Sequence, residues 1–240
     1  MNMLYVKRFF KLLASFVVVV PLALAIFVWW KLQPVTQNLP LPEGLIAIDT
    51  PAGQALLEAA DYRADYALLS DAFESQQLIS YCGVASGAMV LAGLGEDTTQ
   101  NSFFTPAASE VRSSLQVSLG GMSLIDLDGL LSAHGVVTRR GHGSDASLDE
   151  FKALVRQNLA NPDDFLLVNY QREVLGQGRV GHISPLAAYD SASDRVLVLD
   201  TAAYKYPFTW VPVSALYEAM QEADTATGLS RGYLVVARAD

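Results

Sequence analysis

From residue 165 the apolar positions fall into short runs bounded by turn residues. "FLLVNY" (165–170), "HISPLAAY" (182–189), "RVLVLD" (195–200) and "YLVVARA" (233–239) are rich in β-branched residues and predict strands. "DSASD" (190–194) joins the second run to the third as an antiparallel hairpin. Upstream the pattern is helical. "GVASGAMVLAGLG" (83–95) reads as a helix rich in small residues and ended by Gly95. Ser123 with Asp126 opens "SLIDLDGLLSAHG", and Ser147 with Glu150 opens "SLDEFKALVRQNL" as a capping box. Helices followed by an antiparallel sheet predict an α+β fold with a helical half, a sheet half and a site between them.

The N-terminus departs from this pattern. Lys7, Arg8 and Lys11 precede an uncharged run over residues 12–30, "LLASFVVVVPLALAIFVWW". At 1.5 Å per residue it spans about 28 Å, close to a bilayer's hydrocarbon core. Trp29, Trp30 and Lys31 suit a membrane interface, and Pro21 is tolerated in a membrane helix. A transmembrane helix is therefore expected, with its N-terminus in the cytoplasm and an inner-membrane-anchored domain in the periplasm or outside the cell. "ALA" at 23–25 offers the competing reading of a signal-peptidase site, but the apolar run continues past it. The expected organisation is an anchor over residues 1–34, a Pro-rich linker over 35–43 and a catalytic domain over 44–240.

Charge narrows the partners. Residues 1–34 hold four basic and no acidic side chains, so of the 16 basic and 25 acidic residues 12 and 25 remain, a net charge of −13. Such a body repels nucleic acid, which is set aside as a partner. Cys82 is the only cysteine, so no internal disulfide can form, and an external thiol would stand unpaired.

Cys82 falls at the predicted start of the small-residue helix, where free N–H groups and the helix dipole favour a thiolate. The same small residues equally suit a buried helix whose first residue happens to be cysteine. A working thiolate needs a base, a residue to orient that base and an oxyanion donor. His134 and His142 lie in predicted glycine-flanked loops and are expected to be solvated. His182 starts a predicted strand whose hairpin partner ends in Asp200, so imidazole and carboxylate can meet. Gln76 or its neighbour Gln77 could add a side-chain amide to the Cys82 N–H, and spacing alone leaves the register open.

Three spaced sets, Y-C-G-x-A-S, G-H-x-S-P and L-D…K-Y-P…W-V-P, resemble the phytochelatin synthase family, a branch of the papain-like cysteine peptidases. The similarity runs from about residue 41 to 220. It implies a papain-like fold, with Cys82 as nucleophile, His182 as base and acid, Asp200 as orienting residue and Gln76 as oxyanion donor. It further implies glutathione as substrate: the thiolate attacks the Cys–Gly peptide bond, glycine leaves, and a γ-glutamylcysteinyl thioester remains. Water then gives γ-glutamylcysteine, and a second glutathione gives phytochelatin. The chain carries no further cysteine after Cys82 and resembles the short bacterial members, which mainly hydrolyse glutathione. Ala203 stands where the family usually has Arg, and Phe208 where it usually has a second Pro. Ala203 keeps open a papain-like peptidase acting on another small peptide or a leader sequence. Arg172 and Tyr206 are the expected substrate contacts. No metal ligand set and no cofactor are expected, metals bearing only on substrate thiolates, and a homodimer is left open.

Overall fold

Residues 3–239 are described by a computed structural model, with side chains from residue 18 onward. The chain divides into two compact units, Met1–Gln33 and Pro34–Asp240. The first is a helix, α1 (Met3–Leu32). The transmembrane helix expected there is corrected: among the described residues no helix is long and apolar enough to cross a membrane. The side chains of residues 12–17 lie outside the described residues. The remainder of the run, residues 18–30, spans about 20 Å at 1.5 Å per residue, against about 30 Å of hydrocarbon. Neither the expected membrane partner nor a homodimer gains support.

The second unit is α+β, as its patterning predicts. Residues 37–39, expected within a spacer, are tied to the body instead: the Gln37 N–H donates to the Tyr204 carbonyl at 2.8 Å and the Leu39 N–H to that of Lys205 at 2.9 Å. A two-residue strand, β1 (Ile46–Ala47), leads into α2 (Pro51–Ala59) and α3 (Tyr66–Asp71). Then comes α4 (Cys82–Gly93), the small-residue helix. Short helices α5 (Pro106–Val111) and α6 (Ser114–Gly120) precede α7 (Leu124–Ser132). Ser123 and Asp126 close a reciprocal capping box on α7, and Ser147 with Glu150 closes another on α8 (Leu148–Leu159) after strand β2 (Val137–His142). Each box satisfies two N–H groups that a helix start leaves without partners.

The sheet comes next. β3 (Asp164–Gln171), β4 (Gly181–Asp190), β5 (Arg195–Val198) and β6 (Thr209–Pro212) run antiparallel in sequence order. After α9 (Val213–Gln221), the last strand β7 (Gly232–Ala237) inserts between β3 and β2. The strand order is β1-β6-β5-β4-β3-β7-β2. The expected hairpin at residues 190–194 is present: Asp194 takes a left-handed φ of +55°, and the Asp190 carboxylate accepts from the Ser193 N–H at 2.9 Å. β1, β2 and β6 are additions to the strands predicted from the sequence.

Both faces of the central strands are covered, which explains their unbroken apolar runs. Leu166, Val168 and Tyr170 of β3 pack with Phe151, Val155 and Leu159 of α8 and Leu216 and Met220 of α9. The opposite face receives α4. A Cβ added at Gly93 would stand 2.7 Å from the Phe165 ring, so only glycine lets helix and sheet approach this closely. The Ser86 hydroxyl donates to the Ile183 carbonyl of β4 at 3.0 Å, fixing the start of α4 beside the start of β4.

Candidate active site

Cys82 is the first residue of α4, and Tyr81 before it supplies no side-chain cap. The first-turn N–H groups, which have no intrahelical acceptor, therefore lie at the end of the helix that carries the thiol. The approach to Cys82 is braced: Ser80 Oγ donates to the Ser118 carbonyl at 2.8 Å, and Tyr81 Oη lies 3.0 Å from Ser118 Oγ.

His182 is the second residue of β4 and Asp200 lies just past the end of β5, where the hairpin strands part. His182 Nε2 is 2.9 Å from Asp200 Oδ1, which leaves Nδ1 as the ring nitrogen for the thiol. Tyr170, paired with His182 across β3 and β4, meets the imidazole edge to face with centroids 5.7 Å apart. Burial alone would push the Cys82 thiol up. A hydrogen bond and charge from His182, the Ile183 backbone and the Arg172 charge together bring it below its ordinary value. Sequence pattern and fold thus bring Cys82, His182 and Asp200 together.

Arg172 has a different place from the one expected. It sits in the single helical turn after β3, only 2% exposed. Its Nη2 donates to Asp200 Oδ1 at 2.7 Å and its Nη1 to Gln177 Oε1 at 2.6 Å. The Tyr206 ring stacks on the guanidinium, 5.3 Å from centroid to Cζ, and Tyr206 is itself buried. Neither residue is free for a substrate carboxylate: together they brace Asp200, whose Oδ1 also accepts from the Ala202 N–H at 2.8 Å. Burial works against the Asp200 charge, but the Arg172 and His182 charges and hydrogen bonds hold its carboxyl well below the usual carboxylate range.

Gln76 is buried and held against the turn that follows Asp200. Its N–H donates to the Thr201 carbonyl at 2.8 Å. Its Nε2 is 2.9 Å from the carbonyls of both Leu78 and Ile79 and 3.3 Å from Tyr204 Oη. Gln77 is turned away, its N–H donating to Gln100 Oε1 at 2.9 Å. His134 and His142 are elsewhere and are not simply solvated: each has a ring nitrogen 2.8 Å from a backbone carbonyl, of Phe103 and Ser230 respectively. Ala203 brings no cation to the turn after Asp200. Among the described residues no three His, Cys, Asp or Glu side chains are grouped to hold a metal ion.

One residue that sequence reasoning passed over stands here. Arg231 precedes β7, and the pairing of Gly232 with Asn169 carries it beside β3. Its guanidinium lies over Gly181, where any Cβ would collide with it. Nη1 donates to Asn169 Oδ1 at 2.8 Å and lies 3.8 Å from Asp224 Oδ2, while Nε has no partner. Burial pulls its pKa down, against the charges of Asp224 and Cys82. It is a partly committed cation that interacts with the Cys82 charge and lies against Gly181, the neighbour of His182.

The chain is similar to several known proteins. A family model described as phytochelatin synthase matches residues 36–233. "Glutathione gamma-glutamylcysteinyltransferase 1" of Lotus japonicus is 31% identical over 209 residues, covering 83% of this chain and 42% of its own length. "Glutathione gamma-glutamylcysteinyltransferase" of Schizosaccharomyces pombe is 27% identical, covering 82% of this chain and 50% of its own. The chain therefore spans half or less of the length of these relatives. Among solved structures, xylellain, a cysteine protease from Xylella fastidiosa, is 9% identical with a TM-score of 0.42, over 87% of this chain and 98% of its own.

Proposed function

The chain belongs to the phytochelatin synthase family, and we propose that it is a cysteine-nucleophile enzyme transferring the γ-glutamylcysteinyl group of glutathione. The observation that carries this reading is the continuous chain of polar contacts from Arg172 through Asp200 and His182 to a thiol whose pKa is lowered. The Cys82 thiolate attacks the carbonyl carbon of the Cys–Gly bond, and the tetrahedral oxyanion forms beside the Cys82 N–H and the Gln76 amide. His182, carrying the thiol proton, donates it to the glycine nitrogen; the C–N bond breaks and a thioester remains. The same imidazole then takes a proton from water, giving γ-glutamylcysteine and free thiol, or from the amine of a second glutathione, giving phytochelatin. Asp200 holds the ring in the required tautomer and stabilises its charged form.

The γ-glutamyl head is a zwitterion. Arg231 and Asn169 suit its carboxylate and Asp224 its ammonium, which supports Arg231 rather than Arg172 as the substrate cation. Hydrolysis is the main outcome in this reading, and metals enter only as thiolate complexes of the substrate. Ala203, standing where the family usually has Arg, offers one cation fewer to an acceptor carboxylate, which favours water over a second peptide and also keeps another small peptide in view as substrate.

Incubating the full chain with glutathione and following free glycine, γ-glutamylcysteine and phytochelatin by mass spectrometry tests the proposal. Glycine and γ-glutamylcysteine are expected, with none from Cys82→Ser. Intact protein that releases no glycine, or release unchanged in Cys82→Ser, would refute it. Preferential cleavage of α-linked tripeptides would assign the enzyme to a different substrate.

A further inference from the structure

Tyr204 has no role in the chemistry above, yet its hydroxyl lies in the site. It follows Asp200 by four residues in the turn that also aims the Ala202 N–H at Asp200 Oδ1. Its backbone is pinned, since its carbonyl accepts from the Gln37 N–H at 2.8 Å. Its side chain is half-buried and reaches Gln76, with Oη 3.3 Å from Nε2.

The Gln76 amide has two hydrogens and three acceptors within reach, the Leu78 and Ile79 carbonyls at 2.9 Å and the phenol oxygen at 3.3 Å. With both hydrogens on the carbonyls, the amide has nothing to give a developing oxyanion. A carbonyl is also a better acceptor than a neutral phenol. A hydrogen held by the longer, weaker bond to Tyr204 is thus the one most easily released when negative charge appears nearby.

We propose that Tyr204 is a positioning residue that keeps one Gln76 amide hydrogen turned towards the oxyanion site and away from the Leu78 and Ile79 carbonyls. The phenol is suited to this. Burial, with the Cys82 and Asp200 charges adding and Arg172 opposing, pushes its pKa up to about 12, so it stays a neutral acceptor through the working range. One five-residue turn, 200–204, then sets both ends of the machinery: the acid that orients His182, and the hydroxyl that orients Gln76.

The inference rests on Gln76 serving as oxyanion donor, and its test separates the two claims. In the full chain, the Gln76 side-chain amide resonances are compared between wild type and Tyr204→Phe, and Tm is measured for both. Glycine release from glutathione is then followed in Tyr204→Phe, Gln76→Ala and the double variant. The amide resonances are expected to shift with Tm unchanged. The kcat of Tyr204→Phe should fall about tenfold with KM nearly constant, and the double variant should be no slower than Gln76→Ala. Unmoved amide resonances, or losses that multiply in the double variant, overturn the proposal. If no form releases glycine, the resonances alone decide the positioning role, and it is the glutathione reading that fails.

Discussion

Asp65 should make this protein less stable as pH rises, and replacing it should remove that dependence. The side chain is 0% exposed, and neither carboxylate oxygen has a hydrogen-bond partner. It precedes α3 in the N-cap position without capping it. Burial foremost, and the Asp164 charge next, push its pKa up to about 9, from 3.8. The folded state thus keeps a proton that the unfolded chain gives up, and between these two values stability falls with increasing pH. The slope approaches 1.4 kcal/mol per pH unit, so about 4 kcal/mol separates pH 5 from pH 8. Asp65→Asn preserves shape and polarity without the titration. Urea unfolding of the full chain at pH 5, 6, 7 and 8, followed by circular dichroism, measures the difference in unfolding free energy between variant and wild type. That difference should widen in favour of the variant by about 1.4 kcal/mol per unit. Because every other titrating group is common to both proteins, it largely cancels. Parallel curves would refute the reasoning.

Arg172→Met should cost about 3–5 kcal/mol in the same assay, because it strands a buried Asp200. Asp200, depressed in the fold, contributes stability above its unfolded pKa of about 4 that is lost as pH falls through its lower folded value. The variant should show less of that acid loss. Its kcat/KM profile should also have its acid limb at higher pH, since the guanidinium helps keep Cys82 ionised. Arg231→Gln should raise KM for glutathione more than tenfold with a smaller effect on kcat, as expected for a contact made equally in ground and transition states. Gly93→Ala should lower Tm: up to about 1 kcal/mol of helix propensity is outweighed by about 1–3 kcal/mol of overpacking against Phe165, which is fully buried.

The features legible in the sequence were mostly local. The Ser123–Asp126 and Ser147–Glu150 boxes, the start of α4 at Cys82 and the turn at residues 190–194 depend on neighbours within a few residues. The meeting of His182 with Asp200 could be read because a single tight hairpin links them. β2 escaped because "VTRRGH" lies at a sheet edge with only one buried residue and shows no apolar alternation. Arg172 and Arg231 are the instructive pair. The sequence suggests a substrate contact for Arg172 and nothing for Arg231, and the places of both are set by partners at long range: Asp200, 28 residues on, for the first, and Asn169, 62 residues back, for the second. The N-terminal run matched a bilayer in length only when all of residues 12–30 were counted together.

The insertion of β7 between β3 and β2 bears on the protein's synthesis. A ribosome that has just completed α9 has already made Cys82, His182 and Asp200, yet the slot beside β3 is vacant and Arg231 has not been placed. β2 meanwhile waits through some ninety residues of chain for the neighbour that ties it to the sheet. Its contacts have large sequence separation, so this region must close late. Until β7 docks, Cys82, His182 and Asp200 stand without Arg231, whose place beside β3 depends on the pairing of Gly232 with Asn169.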